Sequence, residues 1–142
     1  MFRKAIHVTT SGEGEIVDIT PQVRSIVRES GIADGLVNVF VQGSTAAVTT
    51  IEHESGVLAD LRRALSVIAP DNIPYAHDRA WGDGNGRSHV KAAVVGPSLT
   101  VPVAGGELGC GTWQQIVLID HDNRPRLRKV FVQVQGEARG EA

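Results

Sequence analysis

The chain has 142 residues, 42% hydrophobic and 21% charged, which fits one globular domain able to bury about two-thirds of its unfolded surface. Lys+Arg of 14 against Asp+Glu of 16 gives a net charge of -2, which excludes a general nucleic-acid binder with a basic face. No run of about 18 apolar residues offers a membrane span, no charged-then-apolar leader is visible, and the single Cys110 excludes an internal disulfide or a Cys-rich zinc ribbon, so a cytoplasmic location is expected.

Phe2 to Thr10 and Glu15 to Ile19 read as two strands, with Ser11-Gly12-Glu13-Gly14 supplying the turn between them. Thr20-Pro21 marks a helix start, with Thr20 as N-cap and Pro21 in the first helical position. Val23, Ile26 and Val27 share one face of that helix, and Gly31 stops it. From Leu36 to Gln42, Val37, Val39 and Val41 alternate with Asn38, Phe40 and Gln42, which predicts a strand with a buried face. Ala46 to Ile51 is expected as its antiparallel partner across a turn at Gly43-Ser44. Ser55 to Ile68 is the clearest helix: Leu58, Leu61, Leu65 and Ile68 form one stripe, Asp60, Arg62 and Arg63 face water, and Pro70 ends it.

Residues 77 to 89 then place two histidines, two aspartates, two arginines and an asparagine among alternating glycines. So polar and glycine-rich a stretch predicts a loop rather than a helix, and a loop rich in ligand groups is where function concentrates. His89 to Val95 fits a short helix or a strand equally well. Ser98 to Val103, Glu107 to Gly111, Trp113 to Asp120 and Arg126 to Gln135 read as further strands. The polar tail beyond them, 138–142 in particular, is expected to fray from a domain spanning 1–137. The pattern is α+β: a mainly antiparallel, curved sheet with two main helices packed on one face. Because Ile116-Val117-Leu118-Ile119 is apolar on both faces, an exposed sheet face covered by another subunit is expected.

Three segments can carry chemistry. His77, Asp78, Asp83 and His89 offer either metal ligands or an acid/base set, against the plain alternative of a solvated loop. An Arg at position 87 rules out a calcium loop starting at Asp83. Ser44 and Thr45, after Gly43, can hold a phosphate through backbone N–H groups and hydroxyls, with Glu52 further along, or else form an ordinary turn. Glycines on both sides of Cys110, followed by Trp113 and Gln114, suit a flat ring and its polar edge, or a bulged strand with a core Trp. Cys110 itself reads as a packed small residue, and Arg124, Arg126, Arg128 and Lys129 as a solvated strand edge.

Taken in order, Ser44-Thr45-Ala46-Ala47 with Glu52, Tyr75-Ala76-His77-Asp78, Ser88-His89-Val90-Lys91, Gly96 to Val103 and Gly111 to Ile116 resemble the YjbQ-like family over nearly the whole chain. That family is named for a secondary thiamine-phosphate synthase activity, which joins a hydroxymethylpyrimidine diphosphate to a thiazole phosphate and releases pyrophosphate. The resemblance implies the YjbQ-like fold, a compact homotrimer, and a polar pocket near a subunit boundary lined by Glu52, His77, Asp78, Ser88, His89 and Gln114. It departs from many relatives at Gly43, where they carry a His; Asp83 or Glu52 is the expected replacement ligand beside His77 and His89.

On this reading Glu52, His77 and His89 are the catalytic candidates, and His77, Asp78, Asp83 and His89 would hold a divalent metal, Mg or Zn. Ser44, Thr45, Arg79, Arg87, Ser88 and Lys91 would bind phosphate, and Asn85, Trp113 and Gln114 the substrate. The expected partner is a small phosphorylated molecule. Two other readings stay open: a sensing trimer that binds a small ligand without turnover, and a zinc-dependent hydrolase.

Overall fold

The computed structural model describes residues 1–140. Eight strands and four helices follow one another as β1 (Phe2–Thr10), β2 (Glu15–Asp18), α1 (Thr20–Ser30), β3 (Ile32–Gln42), β4 (Ala46–Ile51), α2 (Ser55–Ile68), α3 (Ala76–Trp81), α4 (Gly86–Val95), β5 (Ser98–Ala104), β6 (Glu107–Leu108), β7 (Gln115–Asp120) and β8 (Arg126–Ala138). The α+β class and the antiparallel pairing stand. Hydrogen bonding divides the strands into a five-stranded sheet, ordered β1-β8-β3-β5-β6, and a three-stranded sheet, ordered β2-β7-β4.

The main core lies between these sheets. Val37, Val39 and Val41 of β3 and Val130, Val132 and Val134 of β8 point inward with period two. They meet Val23, Ile26 and Val27 of α1 beside Ala46, Val48, Ile116 and Leu118 of the smaller sheet. The other face of that sheet carries Ile16, Val117 and Ile119, which pack against Leu58 of α2. Each of the two longest helices therefore has a ladder of its own to cover.

This layering corrects several expectations. β4 does not pair with β3: Gly43-Ser44-Thr45 carries the chain from one sheet to the other, and β4 pairs with β7 (Ala46 opposite Asp120, Ile51 opposite Gln115). Ile116 to Ile119 are apolar on both faces because both faces are buried within one chain, so this run gives no reason for a second subunit. β3 starts four residues earlier, at Ile32, with an irregularity between Ile32 and Asp34. β6 is confined to Glu107–Leu108, and β7 begins at Gln115, leaving Trp113 exposed rather than in the core. Ile19, not Thr20, caps α1; the Thr20 hydroxyl instead accepts from the N–H of Ile116 at 2.8 Å. Ile68 is exposed, so the α2 stripe ends at Leu65. β8 continues to Ala138, and the N–H of Arg139 donates to Gly31 O; 141–142 lie outside the described residues.

Candidate functional site

The polar stretch from 77 to 89 is two short helices joined at 82–85, not a loop. Local propensity is poor there, so the cause is tertiary. Gly82 ends α3, with its N–H bonded to Asp78 O at 2.7 Å. The Asp83 carboxylate accepts from the N–H of Asn85 at 3.1 Å, and the Asp78 carboxylate accepts from the N–H of Gly86 at 2.9 Å, satisfying donors that a helix start leaves free. Gly86 is needed because a Cβ there would stand 2.6 Å from the Cβ of Tyr75, which opens α3. The two helices are thus pressed together at their facing ends.

That contact brings the histidines together. The rings of His77 and His89 are 4.4 Å apart between centroids and tilted by 46°. His77 Nδ1 lies 3.3 Å from Asp78 Oδ1 and 3.4 Å from Asp83 Oδ1. The ligand atoms of His77, Asp78 and Asp83 all lie within 4.8 Å of one another; His89 is not in that set and presents its ring to His77 instead. Of the two expected replacements for a missing family His, Asp83 is in place and Glu52 is not. The carboxylates are oriented by backbone amides, as outer-shell partners orient metal ligands.

The unit is fastened to the strands through a buried polar seam. Asn85 turns inward: its Nδ2 donates to Asp122 Oδ1 at 3.2 Å, and its Oδ1 accepts from Ser88 Oγ at 2.9 Å and from the N–H of Asn123 at 3.1 Å. Asp122 also accepts from Thr45 Oγ1 at 2.9 Å and from Arg126 Nε at 3.0 Å. Beside it, Arg128 of β8 grips Asp120 of β7 with two bonds of 2.7 and 2.8 Å, and the Thr10 hydroxyl donates to the same carboxylate. Burial alone would raise both aspartates. Arg128 and Thr10 outweigh it at Asp120, and Thr45, Asn85 and Arg126 at Asp122, holding both below the usual carboxylate range. Gly43, at φ +124°, leaves room for this: a Cβ there would sit 2.7 Å from Arg128 Nη1.

The expected site residues are therefore dispersed. His77, Asp78, Asp83 and His89 converge. Asn85, Ser88 and Thr45 are buried in the seam, bonded to protein rather than turned outward to a ligand. Ser44 and Arg79 are exposed. Arg87 and Lys91, one turn apart on α4, face a separate cavity. Glu52 and Trp113 line an open groove with Asp18, His53, Glu54 and Gln115, and Gln114 donates to Thr50 Oγ1 at 3.4 Å. That groove is at the Ile51 end of β4, whereas the seam is at the Ala46 end, about 17 Å away at roughly 3.3 Å per residue. One chain alone does not join them. Glu54 caps α2, accepting from the N–H groups of Gly56 and Val57 at 2.7 and 2.8 Å. Cys110 packs against the core, where burial pushes its thiol up, away from reactivity.

Asp120, His121 and Asp122 are absent from the expected set, and Arg128, expected on a solvated strand edge, is buried in β8 between β1 and β3. The signal for the first three was the Asp-His-Asp triplet directly after a strand too apolar to end in solvent. His121 is pushed down to about 4, first by burial and then by Lys91. An unfolded His takes up its proton near 6.5, so the folded protein should lose stability as pH falls from about 6.5 to about 4, by about 3 kcal/mol from this residue. Urea denaturation across that range checks it: His121→Gln should flatten the slope, and an unchanged slope would refute the assignment.

Comparison with known proteins adds the last observation. A family model described as UPF0047 protein YjbQ-like matches residues 4–137. A UPF0047 protein of Methanothermobacter thermautotrophicus is 36% identical over 137 residues, covering 96% of this chain and 94% of that one. Another, from Archaeoglobus fulgidus, is 40% identical over 123 residues, covering 87% and 93%. The crystal structure of a YbjQ-like protein from Sulfolobus solfataricus P2 superposes with TM-score 0.91 at 35% identity, covering 96% of this chain and 97% of that one. A hypothetical protein from Aeropyrum pernix K1 gives TM-score 0.89 at 30% identity, with 96% and 100% covered.

Proposed function

We propose that this chain, which belongs to the YjbQ-like UPF0047 family, is a cytoplasmic, cation-assisted enzyme of diphosphate chemistry with weak thiamine-phosphate synthase activity. The observation that carries the reading is the convergence of the His77, Asp78 and Asp83 ligand atoms within 4.8 Å. An imidazole nitrogen with two carboxylates suits a divalent cation. Bonds of about 2.0–2.2 Å to a tetrahedral cation place two ligands about 3.3–3.6 Å apart; the His77 nitrogen stands 3.3 and 3.4 Å from the two oxygens, and the three ligand atoms lie within 4.8 Å of one another. Such a cation, when bound, supplies positive charge to a leaving pyrophosphate.

In the joining reaction the C–O bond to the diphosphate breaks and pyrophosphate leaves with the electron pair. The thiazole ring nitrogen forms the new C–N bond and becomes a thiazolium. The C–N bond forms without a nucleophile from the protein, which suits a site without one. Arg79, exposed beside Asp78 and free of ion pairs among the described residues, shares the charge of the diphosphate. His89, its ring tilted against that of His77, delivers a proton to the departing oxygens. The groove of Glu52 and Trp113 completes the site only if another subunit of the expected homotrimer brings it to the histidines.

Purified protein, checked for assembly, should form thiamine phosphate from both precursors with Mg²⁺ or Zn²⁺ at a slow rate above background. His89→Ala should slow it by about 100-fold. No product from folded, cation-loaded protein overturns the reading. A histidine with two carboxylates also suits a zinc-dependent hydrolase: stoichiometric zinc with ester hydrolysis and no joining would support that instead. Tight binding of either precursor without turnover would mean a sensor.

A further inference from the structure

On the side of α4 away from the histidines, α2, the Gly12–Gly14 turn and the outer face of the small sheet enclose a cavity of about 170 Å³. One end is charged and the other apolar. Ile16, Leu61, Leu65 and Ile119 form the apolar end. At the charged end two donors lack adequate partners. His121 is 3% exposed, and its Nε2 has no hydrogen-bond partner among the described residues. Lys91 is 9% exposed, and its ammonium has only Asp71 Oδ1, at 3.7 Å, as counter-charge. Asp71 is itself mostly in solvent and shared with Arg87 Nη1 at 3.3 Å. Arg87 is further held by Glu13, at 3.1 and 3.2 Å. Glu13 has φ +55°, the one non-glycine residue with positive φ among those described. Left-handed backbone at a non-glycine residue costs energy and tends to persist at ligand sites.

An underpaired buried ammonium and an orphaned buried ring nitrogen are each costly, and here they line one cavity. A water could satisfy Nε2 but would leave Lys91 with only the solvent-exposed Asp71 as counter-charge. An oxyanion satisfies both. We infer that this cavity binds a compact organic anion, an oxyanion head on a small branched apolar body, with the head accepting from Lys91 Nζ and His121 Nε2 and the body seated on Leu61, Leu65 and Ile119. His121 stays neutral through the physiological range, so one tautomer presents Nε2–H to the head without a titration step. Arg87 sets the outer limit of the head, since its fork is already taken by Glu13. The inference does not depend on the activity proposed above, because the cavity and the His77 cluster face opposite sides of α4.

Isobutyrate, isobutyl phosphate and inorganic phosphate serve as probes, with isobutylammonium as the control. The readout is the His121 Nε2 resonance in nitrogen-15 spectra of the full chain. One of the two organic anions should move it saturably, and which one does so fixes the head as carboxylate or phosphate. That anion should bind at least about tenfold tighter than inorganic phosphate. Lys91→Met should weaken it by about tenfold or more, and Leu61→Trp, which fills the apolar end, should abolish it. The inference is overturned if no anion saturates the signal, if the ammonium control acts equally, or if both variants bind like the parent. A metal titration of the His77 cluster in the same samples separates this result from the fate of the catalytic reading.

Discussion

Arg128→Met should lower the unfolding free energy by about 3–5 kcal/mol, because it leaves the Asp120 charge buried with no cation beside it. The size follows from geometry. Asp120 is wholly buried, and Arg128 meets it through a two-pronged, charge-assisted contact of 2.7 and 2.8 Å. The pair also joins the two sheets, since Asp120 ends β7 and Arg128 lies in β8. Arg128 Nη2 donates to Thr45 Oγ1 as well, at 2.6 Å, so its loss loosens the hydroxyl that serves Asp122. Removing both charges, by Asp120→Leu with Arg128→Met, should recover much of the loss, because no uncompensated charge remains. Guanidinium denaturation of the parent, the single and the double variant measures both steps. A single-variant loss under about 1 kcal/mol would refute the clamp. Asp120 sits below its ordinary range when folded, so its stabilisation is full above about pH 4 and disappears as the pH drops through the lowered value.

The sequence makes some of this fold plain and hides the rest for identifiable reasons. Val37, Val39 and Val41 announce a one-sided strand, and Leu58 and Leu65 an amphipathic helix, because burial imposes a period that neighbours in sequence report. The partner of β3 is not reported that way. Gly43-Ser44-Thr45 has the composition of a hairpin turn, and a crossover between sheets needs the same residue types. Ile116 to Ile119 correctly signalled two buried faces, yet nothing local says whether α2 or another molecule covers the outer one. α3 was illegible, and α4 was open to a helix or a strand over His89 to Val95, because their termini are satisfied by Asp78 and Asp83 across the joint and by Asn85 reaching Asp122, contacts 37 residues apart in the last case. The clustering of His77, Asp78 and Asp83 was readable from residue types alone. The cavity was not: Lys91 belongs to the expected phosphate-binding set, but nothing local pairs it with His121, 30 positions away.

Asp78→Asn should separate the two tasks of that side chain. Its Oδ1 accepts the N–H of Gly86 at 2.9 Å, which starts α4, and the same carboxylate faces His77 at 3.3 Å. Asparagine keeps an acceptor oxygen for Gly86 but removes the negative charge, so the helix joint should survive while zinc affinity drops by about 100-fold. Asp78→Ala loses both, and should unfold about 1 kcal/mol more easily in addition, the usual cost of an unsatisfied helix start. His77→Ala should match Asp78→Asn in affinity without touching the Gly86 bond. Zinc competition with a chromophoric chelator gives the affinities, and urea midpoints of the cation-free proteins give the stabilities. If Asp78→Asn binds zinc like the parent, the carboxylate is only a helix fastener and the cation site fails, since Asp83 is the more exposed and less fixed of the two acidic groups. If affinity falls while stability holds, the carboxylate that locks the two helices together is also a ligand, and closing the joint is what builds the site.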